Sequence, residues 1–458
     1  MSAPARFATF ARLGMRAQTE AVAQMEAVIE KPAYCRPFVN ATFLHDPYPL
    51  YRELREAGPI HWSEEFFGGA WLLTRHEDVE AVLRDPLYSA RRTGGWVMRG
   101  SEESRQALCP FQRLFSRAML FLDAPDHTRL RHVLSAGFRP SALRASAGAI
   151  EHMVAGLMNG IDEAGQFDFM ERIARPLPAM VIARLLGMDT DDRPEFLAWS
   201  EDLAAFIGAP DPDQALKRRA QFSLLKMCAA FEAMLARRRE QGAKIPDAAG
   251  DDLIGHLLRA EASGEVESGA ELLAQCAMLL FAGHETTRNL LGNGLYTLLS
   301  HPDQWRSLQR APELLPNALR ELLRYESPVQ YTGRRVTTDV VQHGRLLRRG
   351  ELVVPLIGAA NRDPARYSNP DSLDITRREG SHLSFGHGPH FCIGAALTLM
   401  EAEIAFRALS VRWPGLELLD ARPHWNGNPV YRGLASLQVR CRPLTHTKGV
   451  SRNGPECR

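Results

Sequence analysis

Cysteine is scarce and unpatterned in this 458-residue chain: Cys35, Cys109, Cys228, Cys276, Cys392, Cys441 and Cys457, with no Cys-x-x-Cys pair. An odd, scattered set argues for reduced thiols and against a disulfide frame. An excess of charge of one sign is missing too. Lys+Arg is 55 against Asp+Glu 54, which excludes the basic surplus of a dedicated nucleic-acid binder. No apolar run approaches the roughly 18–20 residues that span a bilayer. The N-terminal stretch carries Arg6, Arg12 and Arg16 among small residues and lacks the apolar core of a secretory signal. No internal repeat, Gly-x-Gly-x-x-Gly unit or four-Cys cluster occurs, so a dinucleotide site or iron–sulfur centre within the chain is not expected. What remains is an average composition, 45% apolar and 24% charged, and the expectation of a globular enzyme of the cytoplasm.

The organisation predicts one mainly α-helical domain over 41–443 with a small β-rich subdomain, an N-terminal extension over 1–40 and a flexible tail over 444–458. Asp46 to Gly58 reads as a capped helix, and the apolar stretches around Gly68-Gly69 as a hairpin. Helical periodicity runs from Asp126 to Arg259. Ser268 and Glu271 then form a capping box that opens a helix to about Ser300. This helix is apolar on nearly all sides, which predicts a path through the centre of the protein. A helix over Pro312–Tyr325, a strand-rich stretch ending near Ile357, a glycine-rich loop and a helix from Ala395 to about Trp413 complete the core.

Chemistry concentrates in the loop FGHGPHFCIG, Phe385 to Gly394. Its glycines let backbone approach a flat ligand and turn sharply. Cys392 stands immediately before a helix, where free N–H groups favour a thiolate, the form that binds metal. From spacing alone Cys392 is equally a buried cysteine in a turn. His387 or His390 beside it suggests zinc only weakly, because four-ligand spacing is missing. Glu321 and Arg324 share one helix face at i, i+3, the spacing of an ordinary salt bridge. Glu285 and Thr286 place an acid and a hydroxyl in the middle of the apolar helix, which is costly unless partners or water satisfy them.

Phe385, Gly388, Cys392 and Gly394 fit FxxGxxxCxG, and the chain here resembles the cytochrome P-450 superfamily of haem-thiolate monooxygenases, bacterial type. AGHETT (Ala282–Thr287), the ExxR pair Glu321/Arg324, DAPDHTRLR (Asp123–Arg131), NRDP (Asn361–Pro364) and DITR (Asp374–Arg377) follow in family order, so the resemblance spans roughly 35–443. It implies the P-450 fold with its long helix over haem b, and Cys392 as axial thiolate, the ligand that favours O–O cleavage. His127, Arg131, Arg334 and His390 match the propionate donors, which suit anions. Ala282 and Gly283 leave room above the haem. Glu321, Arg324 and Arg377 become a buried brace. Glu285 and Thr286 are implied as the proton relay, with general acid–base chemistry as their contribution.

By position, Trp96, Val97, Met98, Phe206, Ile207, Leu279, Val329 and Val430 are the expected substrate contacts, and their apolar character fits a hydrophobic small molecule. The resemblance implies electrons from NAD(P)H delivered through a ferredoxin and ferredoxin reductase. Arg129, beside Arg131, is expected to face outward in a basic patch that attracts such a donor. Two other readings stay open: oxidative coupling or reduction on the same fold without oxygen insertion, and a catalytically silent haem-binding sensor.

Overall fold

In a computed structural model, residues 38–66, 68–93, 110–161, 165–188, 193–209, 212–244 and 252–441 are described. The principal helices are α1 (His76–Arg84), α2 (Asp126–Ser135), α3 (Pro176–Leu186), α4 (Arg193–Gly208), α5 (Gln214–Lys244), α6 (Gly269–Ser300), α7 (Leu315–Tyr325) and α8 (Ala395–Arg412). At 1.5 Å per residue the 32-residue α6 extends about 48 Å, enough to cross the molecule.

Two apolar cores meet on α6. Its first half, Leu272 to Phe281, packs with Leu130 and Leu134 of α2, Leu203 and Phe206 of α4 and Met227 and Phe231 of α5. Its second half, Leu290 to Leu299, packs with Leu319 and Leu322 of α7 and Ala402, Ala405 and Phe406 of α8. The seam between the two cores falls at Ala282–Arg288, where the helix turns small and polar. That break in an otherwise apolar helix positions the site.

Five strands form one mixed sheet: β1 (Ile60–Ser63), β2 (Ala70–Leu73), β3 (Tyr88–Ser89), β4 (Arg334–Val336) and β5 (Leu352–Pro355), in the order β1-β2-β5-β4-β3. Trp62 pairs with Trp71 across the β1–β2 hairpin, and Trp71 with Val353 across the parallel β2–β5 step. Gly69 closes the hairpin with φ +135°; a Cβ there would lie 2.2 Å from the Trp62 ring, so neither the dihedral nor the space admits a side chain. The sheet presents Arg334 from β4 toward the helical part.

The box at the start of α6 is only half of the expected one. Ser268 Oγ accepts the Glu271 N–H at 3.2 Å, but the Glu271 carboxylate turns to the Glu267 N–H and to Arg129 instead. Arg129 in consequence does not form the predicted outward patch. Its guanidinium is bidentate on Glu271 at 2.8 and 3.0 Å and donates to the Glu265 carbonyl, tying α2 to α6. A buried carboxylate in the first turn of α6 outcompetes solvent for a planar cation.

Candidate active site

The glycine-rich loop is folded back on itself by the Cys392 N–H, which donates to the Phe385 carbonyl at 2.8 Å. Gly386 and Gly388 hold left-handed φ of +71° and +70°. Cys392 sits beneath the start of α8, where the N–H groups of Gly394 and Ala395 point at its Sγ. Burial pushes the thiol pKa up, while those two donors and the Arg131 charge oppose the shift. A metal ion overrides the burial effect, since a coordinating thiol loses its proton outright.

Above Cys392 lies a cavity of about 320 Å³. Its floor is Phe385, Cys392 and Gly394; its roof is Leu279, Ala282, Gly283 and Thr286 of α6. Ala282 is exposed to this space although it sits midway along a central helix. Gly283 has a second reason to be small, because a Cβ there would lie 2.9 Å from Ile182 Cδ1 on α3. Ile207, Val329 and Val430 line the walls as expected.

One end of the cavity is cationic. His127, Arg131, Arg334 and His390 converge there, together with Arg92, which sequence reasoning did not single out. The His127 and His390 rings stand 4.0 Å apart. Burial, then Arg334, His127, Arg92 and Arg131, drive the His390 pKa down to about 2. Burial and Arg92 pull Arg334 down to about 9, and His127 Nε2 is buried without a hydrogen-bond partner. Three arginines drawn together out of bulk water and an orphaned histidine nitrogen are costly unless an anion joins them. A planar dianion carrying a metal fits this set: His127, Arg131, Arg334 and His390 would hold its acid groups and Cys392 its metal.

Glu285 departs from its expected place. It does not line this cavity. Its Oε1 accepts from Arg288 Nη2 at 2.6 Å, and the carboxyl opens with Arg288, Glu201 and Arg175 on a second, polar hollow. Burial raises its pKa, with Arg288 acting against that. Thr286 does line the cavity, and its Oγ1 donates to the Ala282 carbonyl at 3.1 Å. Next to it, Thr287 and Thr398 share a 3.1 Å hydroxyl contact that ties α6 to α8.

Phe206 also departs: it is 2% exposed and packs edge-on to Phe111 at 4.7 Å, outside the lining. Its helix turns it into the core and leaves the neighbouring Ile207 to the cavity. Gly388 is held off the cavity by α1, where a Cβ would lie 2.8 Å from Arg84 Cα. Trp96, Val97 and Met98 lie outside the described residues. Glu321, Arg324 and Arg377 come together as a brace behind the loop. Arg324 donates to both Glu321 oxygens at 2.7 and 2.8 Å and to the carbonyls of Asn361, Pro370 and Ser372; Arg377 Nε reaches Glu321 at 3.1 Å. Glu401 on α8 was missed as well: it lines the cavity with Oε2 unpartnered. An acid in the apolar run ALTLMEAEIAF is the signal that could have found it.

A cysteine under a helix start, an apolar cavity above it and a cationic rim define the haem-thiolate class. A family model described as Cytochrome P450 matches residues 101–409. The chain is 37% identical to the cytochrome P450 monooxygenase PikC of Streptomyces venezuelae over 408 residues, 87% of this chain and 92% of that one. Among solved structures, the polyketide synthase cytochrome P450 PksS of Bacillus subtilis 168 superposes with a TM-score of 0.79 at 34% identity, covering 89% of this chain and 100% of that one. P450BioI, solved with an acyl carrier protein bearing hexadec-9Z-enoic acid, gives a TM-score of 0.79 at 33% identity over 88% of this chain and 100% of that one. The chain belongs to the cytochrome P450 family and is an oxidoreductase that incorporates molecular oxygen. No helix among the described residues is long and apolar enough to cross a membrane.

Proposed function

We propose that the enzyme hydroxylates or epoxidises a hydrophobic organic molecule of natural-product type in the cytoplasm, with electrons passed from NAD(P)H through a separate ferredoxin and its reductase. The observation that carries this reading is the apolar cavity roofed by Ala282 and Thr286 directly over Cys392. Haem b bound there would supply the oxygen-activating chemistry, for which a thiolate is the suited ligand. Cys392 would be that ligand; Arg131, Arg334, His127 and His390 would hold the acid groups. Leu279, Ile207, Val329 and Val430 exclude water and orient the substrate. Thr286 holds a hydroxyl at the roof, and Glu285 moves protons toward it from the polar hollow behind α6. The names of related proteins, a polyketide biosynthesis cytochrome P450 in PksS and an acyl carrier protein bearing hexadec-9Z-enoic acid on P450BioI, support a substrate of natural-product type.

The test is reconstitution of the haem-loaded enzyme with a surrogate ferredoxin, its reductase and labelled dioxygen. Ligands are first chosen by the low- to high-spin shift that cavity occupancy causes. Label in the product supports oxygen insertion. Product without label assigns coupling or reduction instead, and substrate binding without any product assigns a sensor. Cys392→His, if it leaves the carbon monoxide spectrum of the reduced protein unchanged, overturns the thiolate assignment.

A further inference from the structure

Arg92, three residues beyond the end of β3, has no task in the haem-thiolate scheme. Its guanidinium lies 4.6 Å over the Phe121 ring. Its Nη1 reaches only the Ala90 carbonyl, at a long 3.4 Å. No carboxylate among the described residues pairs with it. The nearby Asp123 is committed to the Ser89 hydroxyl, the Ala90 N–H and Arg91, and Glu401, the one carboxyl among the described residues of the cavity lining, belongs to α8. Burial lowers the Arg92 pKa to about 10, with only the Tyr431 phenol acting the other way. Removing a charge from water without a partner is costly, so a half-buried cation that opens on a cavity without a carboxylate partner points to an anion that enters it.

The haem acid groups do not need this residue, because Arg131, Arg334, His127 and His390 already face them. Arg92 borders the same cationic end but stands over Phe121 and beside Tyr431. Tyr431 in turn packs edge-on to Phe281 of the roof helix at 5.5 Å. Arg92 thus joins the cationic end to an aromatic wall of the cavity. We infer that Arg92 anchors the acidic end of the substrate, which makes the substrate a hydrophobic carboxylic acid. The carboxylate forms a charge-assisted, bidentate pair with the guanidinium, and the tail runs under Phe281 and Leu279 toward the centre of the cavity. The inference rests on the proposed monooxygenase site being the substrate cavity, but it is read from binding and does not need turnover.

The experiment titrates haem-loaded protein with dodecanoic acid and with methyl dodecanoate, followed by the spin-state shift and by calorimetry, then repeats the pair with shorter, longer and aryl-substituted acids. The native protein is expected to bind an acid about tenfold tighter than its ester. Arg92→Gln is expected to lose that preference, with ester affinity and haem content kept. Arg92→Lys, which keeps the charge but loses the fork, is expected to fall between and serves if the Gln variant does not fold. Equal affinity of acid and ester in the native protein, or no binding by any acid of the series, overturns the inference. Loss of haem from Arg92→Gln reassigns the residue to the haem acid groups. An equal loss for acid and ester reassigns it to packing over Phe121. Failure of the monooxygenase reading itself shows separately, as unlabelled product or none.

Discussion

Thr286 and Glu285, neighbours on the central helix, face different cavities: the hydroxyl looks onto the space above Cys392, while the carboxyl is held 2.6 Å from Arg288 over the polar hollow behind. Substitutions should therefore separate the two. Thr286→Ala removes a hydroxyl already satisfied by the Ala282 carbonyl and is expected to cost about 1 kcal/mol of stability. NAD(P)H consumption should continue while product per NAD(P)H falls roughly tenfold or more and peroxide rises. Glu285→Gln should instead slow total turnover and change the solvent isotope effect. Arg288 keeps Glu201 at 3.2 Å, so the fold should survive. Product, peroxide and NAD(P)H counted in one assay check both; full coupling in Thr286→Ala removes the hydroxyl from proton delivery.

The brace behind the loop gives a stability prediction. Arg324 and Glu321 have side chains only 2% exposed, and Arg324 uses its planar fork on five acceptors. Lysine keeps the charge but cannot reach that set. Arg324→Lys is expected to cost about 3 kcal/mol, the scale of a broken buried pair, and to lower the yield of haem-loaded protein. Thermal unfolding and the haem-to-protein ratio measure it. An unchanged midpoint would mean the pair is not needed to hold the loop.

Much of the fold was legible in the sequence because its signals are local. The Gly68-Gly69 turn, the all-round apolar pattern of α6 and the glycine loop before α8 each sit within one short segment. What stayed hidden depends on which way a side chain turns. Phe206 and Ile207 differ by about 100° around α4, and the pattern could not say which one meets the cavity. Arg129 looked solvated until Glu271 arrived from 142 residues away. Arg92 and Glu401 carry no motif; only the folded cavity brings them to its walls.

Gly388 and Gly394 belong to one motif but answer to different constraints. Gly388 has φ +70°, and an added Cβ would meet Arg84 Cα at 2.8 Å and the Leu83 carbonyl at 3.1 Å, both main-chain atoms. Gly394 has φ −87°, and its Cβ would meet Phe138 at 3.8 Å and Cys392 Sγ at 3.9 Å, ordinary contacts. Gly388→Ala is therefore expected to lose at least about 1–2 kcal/mol from the left-handed backbone alone, with the α1 contact adding to it. Gly394→Ala should stay within about 1 kcal/mol of the native chain. Thermal unfolding of the two proteins side by side decides the ranking.

Glu401 gives a pH prediction with a definite sign. Its side chain is buried on α8, Oε2 has no partner among the described residues, and no cation offsets the burial that lifts its pKa well above the ordinary 4.5. The native state thus holds this proton more tightly than the unfolded chain does. Its contribution to stability is fully present below about pH 4.5 and is lost as pH rises toward the folded-state value. Glu401→Gln keeps the shape and is neutral at every pH, so that slope disappears. The variant should unfold at a higher temperature than the native protein at about pH 8, and the gap should shrink toward about pH 5. Melting curves of haem-loaded protein across that range provide the check. Parallel curves would show that the carboxyl is ionised in the folded state and has found a cation or water to hold it.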